Sequence, residues 1–111
     1  MYPIVKMMTR LENYSWVGDT YWYIGLTVLI DDSIVGANGL FYEIKYGNSI
    51  EIGQFDPDKD GSTVVDGFNV YHATGPRQGF VYPDKPEYID ICIGDPNVQG
   101  EYYIIYRYQF E

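Results

Sequence analysis

The chain contains 111 residues, enough for one hydrophobic core and too few for two, so we predict a single domain over residues 1–111. Hydrophobic residues make up 46% and charged residues 21%, a balance that excludes a disordered chain and predicts a folded one. Sixteen acidic residues against seven basic ones give a formal net charge of -9, which opposes binding to nucleic acid or to an anionic membrane surface.

The N-terminal part of the chain predicts two strands separated by a loop. Residues 2–11 form an apolar run rich in β-forming residues and predict the first strand. Residues 12–20 contain Asn, Ser, Gly and Asp around the aromatic residues Tyr14 and Trp16, and predict a loop. Residues 21–30 are dense in aromatic and β-branched residues, so we expect this strand to lie at the centre of a sheet.

Alternating side chains and turn residues predict further strands along the rest of the chain. Residues 40–46 alternate apolar and charged side chains, and Gly47 and Asn48 then form a two-residue turn typical of a β-hairpin. Asp66 and Gly67 indicate a second hairpin, and residues 94–97 connect the last two strands into a C-terminal hairpin. The strands predicted after the first two cover residues 40–46, 49–55, 63–65, 68–73, 87–93 and 101–110. Alternation in the last strand predicts one face that carries Tyr102, Ile104, Tyr106 and Tyr108.

These elements predict an all-β domain. Short strands at close spacing, without a convincing helical period, favour a single-domain antiparallel β-sandwich of Greek-key, jelly-roll or immunoglobulin-like topology. A small β-barrel is the alternative. The order of strand pairing leaves no local trace in a sequence, so these topologies stay open.

An acidic segment resembles the first half of a Ca²⁺-binding loop. Asp56, Asp58 and Asp60 place carboxylates at the first, third and fifth positions, and Gly61 supplies the glycine of the sharp turn. Position twelve is Gly67, where a bidentate Glu is expected. We therefore predict weak Ca²⁺ binding at the three aspartates as one hypothesis, and a plain exposed turn as the other.

Aromatic residues provide the candidate binding site. Tyr14, Trp16 and Trp22 cluster in the sequence, and Tyr82 begins a Pro-rich loop segment. Exposed Trp and Tyr side chains are over-represented at protein interfaces and can also stack on sugar rings. Packing in the core explains the same residues without a ligand.

Little in the sequence points to catalysis. His72 is the single histidine and Cys92 the single cysteine, so a zinc site or a nucleophile–base pair would depend on these two residues alone. The alternation around His72 predicts an inward or edge position, and that around Cys92 predicts a small buried residue. We expect a protein that is not an enzyme.

Three functions fit these observations. The first is an acidic inhibitor or immunity-type protein that blocks a basic surface on a protein partner. The second is a small carbohydrate-binding module with an aromatic platform and a structural Ca²⁺, and the third is a virion or cell-surface structural subunit. Without an N-terminal signal pattern, and with one cysteine, the cytoplasm is the expected location if the chain is complete.

Overall fold

Two antiparallel β-sheets face each other in the computed structural model, which describes residues 4–55, 64–72 and 80–110. A short 3-10 helix, Asp32–Ile34, connects the two sheets after the second strand. The strands described are β1 (Ile4–Trp16), β2 (Asp19–Ile30), β3 (Leu40–Tyr46), β4 (Ser49–Gln54), β5 (Val64–Val65), β6 (Phe68–His72), β7 (Phe80–Tyr82), β8 (Pro86–Gly94) and β9 (Tyr102–Gln109). The described residues contain no helix with the length and hydrophobicity of a membrane span.

The strand order confirms the prediction of an all-β, sandwich-like fold. The first sheet runs β1-β2-β6-β5, and β7 also pairs with β2, beyond the end of β6. The second sheet runs β4-β3-β8-β9. Strand β2 therefore lies at the centre of its sheet, as its apolar composition predicts.

The core lies between the two sheets and is built from alternating strand residues. Every second residue of β2 points inward, while the residues between them are less buried or face away. The aromatic ring of Phe55 packs edge-to-face on Tyr42 at 5.7 Å and on Tyr71 at 6.1 Å between ring centroids. The buried core residues are Ile24, Leu26, Val28, Ile30, Leu40, Tyr42, Ile44, Phe55, Tyr71, Tyr82, Ile89 and Ile91.

Gly53 on β4 has no side chain because the ring of Tyr42 occupies that space. The two residues are cross-strand partners between β4 and β3. A Cβ atom built on Gly53 would lie 2.8 Å from Cε1 of Tyr42 and closer still to its hydroxyl oxygen. Glycine at this position lets a buried tyrosine lie flat across the edge strand.

The N-terminal hairpin is longer than predicted. Strand β1 pairs with β2 as far as Trp16 opposite Asp19, so the loop predicted at residues 12–20 is wrong and Tyr14 lies on a strand. The turn consists of Val17 and Gly18, with φ values of 51° and 82°. Two successive positive φ values match the twist of a tight hairpin. Val rarely adopts a positive φ, so its presence does not predict a turn at this position.

The other predicted hairpins are confirmed, with one change of face in the last strand. Gly47 and Asn48 connect β3 to β4, Asp66 and Gly67 connect β5 to β6, and β8 pairs with β9. In β9 the register shifts, since Ile91 lies opposite Tyr106 and Cys92 opposite Ile104. This bulge contains one extra residue and reverses the alternation. The predicted single face is therefore wrong, because Tyr102 and Ile104 do not share a face with Tyr106 and Tyr108.

Candidate functional site

The four predicted binding residues lie at one end of the first sheet. Trp22 of β2 is the cross-strand partner of Tyr82 of β7, and Tyr14 of β1 lies opposite Tyr21 of β2. Trp16 lies opposite Asp19 next to the hairpin turn. The backbone register thus brings these residues to the same region of the sheet.

Trp22 and Tyr82 belong to the core-facing side of the sheet. The side chain of Tyr82 is only 2% exposed and its ring packs on Tyr46, with 4.4 Å between the centroids. Trp22 is half-buried, and the ammonium group of Lys85 lies 5.5 Å from its ring centroid. Packing accounts for Tyr82, and Trp22 presents only part of its surface.

A second group of residues lies on the outer face of the second sheet, away from the core. Cross-strand pairs join Phe41 to Cys92, Glu43 to Asp90, and Asp90 to Arg107. These positions alternate with core residues along β3 and β8, so their side chains share the opposite face. We call the following residues the outer cluster: Phe41, Glu43, Tyr88, Asp90, Cys92, Tyr102 and Arg107.

A bidentate ion pair forms the centre of the outer cluster. Nε of Arg107 donates to Oδ1 of Asp90 at 2.6 Å, and Nη2 donates to Oδ2 at 2.8 Å. Asp90 is fully buried, whereas about half of the Arg107 side chain is exposed. The guanidinium also lies over Tyr88, with 4.0 Å from Cζ to the ring centroid. Arg107 therefore covers the buried carboxylate and holds Tyr88 beside it.

Glu43, Tyr102 and Cys92 form a second polar group next to the ion pair. The hydroxyl of Tyr102 is buried beside the Glu43 carboxylate and the Cys92 thiol, and its ring lies 6.2 Å from that of Phe41. Burial and the charge of Asp90 raise the pKa of Glu43. Burial raises the pKa of the Cys92 thiol to about 12, so at neutral pH it is protonated and a poor nucleophile.

Three isoleucines flank the outer cluster on the two edge strands. Ile50 and Ile52 of β4 are 55% and 53% exposed, and Ile104 of β9 is 51% exposed. Register places Ile50 opposite Lys45 and Ile52 opposite Glu43, on the same outer face. The face therefore combines exposed apolar residues at its margins with a partly buried ion pair at its centre.

No family model, curated protein or solved structure matches the chain.

The predicted Ca²⁺ loop at Asp56, Asp58 and Asp60 lies outside the residues that the structure describes. Among the residues that it does describe, no group of His, Cys, Asp or Glu side chains could hold a metal. Ca²⁺ binding stays a prediction, which melting curves with and without Ca²⁺ can test.

His72 is exposed on the surface of the first sheet rather than packed inward. Its Nδ1 lies 3.0 Å from Oγ1 of Thr27.

Sequence reasoning missed the outer cluster because β3 is far from β8 and β9 in the chain. The alternation of Tyr88, Asp90 and Cys92 is visible in the sequence and places them on one face. That β8 lies between β3 and β9 is not visible, and the bulge in β9 shifts Arg107 onto the face of Asp90. Opposite charges at Asp90 and Arg107 were the only signal for the pair.

Proposed function

We propose that this protein is a non-enzymatic binding domain that recognises a protein partner through the outer face of its second sheet. The observation that carries the proposal is an ion pair between buried Asp90 and half-exposed Arg107, stacked on Tyr88, on a sheet face that no other described strand covers. The outer faces of antiparallel sheets are usually polar and solvated. A face with an ordered centre and exposed apolar residues at its margins is typical of an interaction surface.

The composition of the face supports recognition of a protein. Tyr and Arg are over-represented among residues that contribute most binding energy, and here Tyr88 and Arg107 are stacked and held in place. Ile50, Ile52 and Ile104 add apolar surface that a partner can cover. Side chains that are already ordered lose less conformational entropy on binding.

Charge supports a basic partner. Asp90 neutralises Arg107, and the ammonium of Lys45 donates to the carbonyl oxygen of Gly47 at the margin of the face. Glu43 then remains as the carboxylate nearest the centre, on a chain with a formal net charge of -9. An acidic inhibitor or immunity-type protein is the function that combines these features, with a lysine or arginine of the partner placed against Glu43.

The test compares two substitutions that change the charge equally. Ile104→Arg places a positive charge on the proposed face, whereas Val64→Arg places the same charge on an exposed position of β5 in the other sheet. A basic partner is first isolated by affinity capture from the source cells, and its affinity for each purified variant is then measured by calorimetry. We expect Ile104→Arg to weaken binding by about tenfold or more and Val64→Arg by less than about twofold.

Equal affinities of the two variants for the partner would contradict the proposal. So would retention of the wild-type protein on an immobilised polysaccharide with no basic partner captured. That result would favour the carbohydrate-binding alternative, which relies on Trp22, Tyr14 and Trp16 at the end of the first sheet.

A further inference from the structure

We propose that β4 accepts an extended segment of the partner as an additional antiparallel strand, with apolar residues alternating with lysine or arginine. This inference rests on the proposed function, because the added strand would extend the same outer face. It specifies how the partner is held and which sequence pattern it presents.

The main-chain groups of β4 that point away from β3 follow from the hydrogen-bond pattern. The amide of Phe55 donates to the carbonyl oxygen of Leu40 at 2.9 Å. In an antiparallel pair, hydrogen-bonded and non-hydrogen-bonded residue pairs alternate. Counting back from Phe55, the amides of Ile50 and Ile52 point to the edge rather than to β3. Their carbonyl groups point the same way, so two successive positions offer donors and acceptors to a new strand.

Strand β4 has few of the features that usually protect an edge, and Glu51 is its single charged residue. The strand is Ser49–Gln54, without Pro, Lys or Arg, and its pairing with β3 continues without a register shift. The other described edges are charged, interrupted or short: β1 carries Lys6, Arg10 and Glu12, β9 has its bulge and Arg107, and β5 and β7 have two and three residues. Natural sheets usually interrupt or charge a free edge, so a regular and partly apolar edge indicates a pairing site.

The side chains of β4 define the pattern of the added strand. Ile50 and Ile52 lie on the outer face and are more than half exposed, so residues added beside them on that face would be apolar. Glu51 lies on the opposite side of the strand, where its charge contributes to the raised pKa values of the buried Tyr42 and Tyr82. A lysine or arginine beside Glu51 would pair with this carboxylate, in agreement with the net charge of -9.

The experiment uses the full chain and a capped synthetic peptide of alternating valine and lysine. Ile52→Pro removes the edge-facing amide and leaves the ladder to β3 intact, which proline tolerates on an edge strand. Val64→Ala is the control, since it truncates a similarly exposed apolar side chain on β5, in the other sheet. We expect calorimetry to show binding to the wild type, a loss of about tenfold or more with Ile52→Pro, and less than about twofold with Val64→Ala.

Modified peptides keep the test independent of whether Ile52→Pro folds. A valine–lysine peptide methylated on alternate backbone nitrogens should fail to bind the unmodified protein, because it lacks donors for the edge. A valine–glutamate peptide should also fail, because its carboxylates would face Glu51. On binding, the amides of Ile50 and Ile52 should become protected from hydrogen exchange.

Three results would overturn strand addition. The first is that the methylated peptide binds as tightly as the unmodified peptide. The second is that the peptide binds to Ile52→Pro as tightly as to the wild type. The third is self-association of the protein through β4 that excludes the peptide. If no peptide binds while capture of the basic partner is still lost with Ile104→Arg, strand addition fails and the proposed function stands. If no peptide binds and Ile104→Arg leaves capture of the basic partner unchanged, strand addition and the proposed function both fail.

Discussion

At the scale of single residues, the charge of Glu43 opposes folding at neutral pH, and the proposed function gives the same charge a role in binding. Glu43 lies half-buried between Asp90 and Tyr102, and burial followed by the charge of Asp90 raises its pKa. A carboxyl group with a raised pKa is stabilising below its unfolded-state value, and this contribution is lost as the pH rises through the folded-state value. At neutral pH the ionised Glu43 therefore lowers the free energy of unfolding.

We predict that Glu43→Gln stabilises the protein at pH 7 and weakens binding to the basic partner. The gain should stay below about 1 kcal/mol, because a half-exposed charge is screened by solvent. It should disappear as the pH falls below the ordinary pKa of Glu. Urea unfolding at several pH values measures the first effect and calorimetry measures the second.

Glu87→Gln is the control for that prediction. It removes the same charge from an exposed position of β8, so it should leave both the stability and the affinity nearly unchanged. A destabilising Glu43→Gln with unchanged binding would contradict the role given to Glu43, and would indicate that its carboxylate chiefly supports Tyr102.

Gly53 gives a test of packing at the edge of the core. We predict that Gly53→Ala lowers the free energy of unfolding by about 1–3 kcal/mol, because the added Cβ displaces the buried ring of Tyr42. Tyr42→Phe should not rescue it, since ring carbons as well as the hydroxyl obstruct the methyl group. Chemical denaturation of the single and double variants measures these changes.

Gly36→Ala is the matched substitution for Gly53→Ala. No heavy atom lies within 4 Å of a Cβ built there and φ is not positive, so it should change stability by less than about 1 kcal/mol. Equal changes in stability for the two alanines would contradict the conclusion that the ring of Tyr42 requires glycine at position 53.

At the scale of elements, the β1–β2 hairpin contains the most unusual backbone of the described residues. Val17 has a φ of 51° although it is β-branched, and its side chain is 84% exposed at the turn. A left-handed conformation destabilises such a residue by about 1–2 kcal/mol, and an exposed side chain offers no packing in return. The regular ladder that continues to Trp16 and Asp19 holds the turn in place.

We predict that Val17→Asn raises the free energy of unfolding by about 1 kcal/mol, because Asn adopts left-handed conformations more readily than Val. Gly18→Ala, with φ of 82° at the next position, should lower it by about 1 kcal/mol. Thermal melts of both variants check the two signs. If Val17→Asn instead destabilises the protein, the Val17 side chain makes stabilising contacts although it is largely exposed.

At the scale of the whole molecule, the net charge of -9 acts on encounter rather than on the fold. Attraction between an acidic protein and a basic partner raises the association rate and is screened beyond roughly 10 Å at 0.1 M salt. The ion pair of Asp90 and Arg107 is partly buried at the centre of the proposed interface, so salt should affect it less.

We therefore predict that the association rate with the basic partner falls by about tenfold or more as salt rises from about 50 mM to about 500 mM. The dissociation rate should change much less, because apolar contacts at the sheet face persist at high salt. Surface plasmon resonance at several salt concentrations separates the two rates. An association rate independent of salt would remove electrostatic steering from the proposed function.

Local patterns in the sequence determined the fold class and several elements. Alternation along β3, the turn at Gly47 and Asn48, and the turn at Asp66 and Gly67 each depend on neighbouring residues only, and the structure confirms them. The end of β1 escaped prediction because Val17 adopts a conformation that its side chain disfavours.

Tertiary structure alone decided which sequentially distant strands pair and hence where the outer cluster forms. Glu43, Asp90 and Arg107 come together because β8 lies between β3 and β9 and because a bulge in β9 reverses its alternation. Tyr82, predicted as a binding residue, lies in the core for the same reason, since β7 pairs with the central strand β2. Strand pairing at long sequence separation follows from burial summed over both sheets, and that sum is not encoded in any single segment.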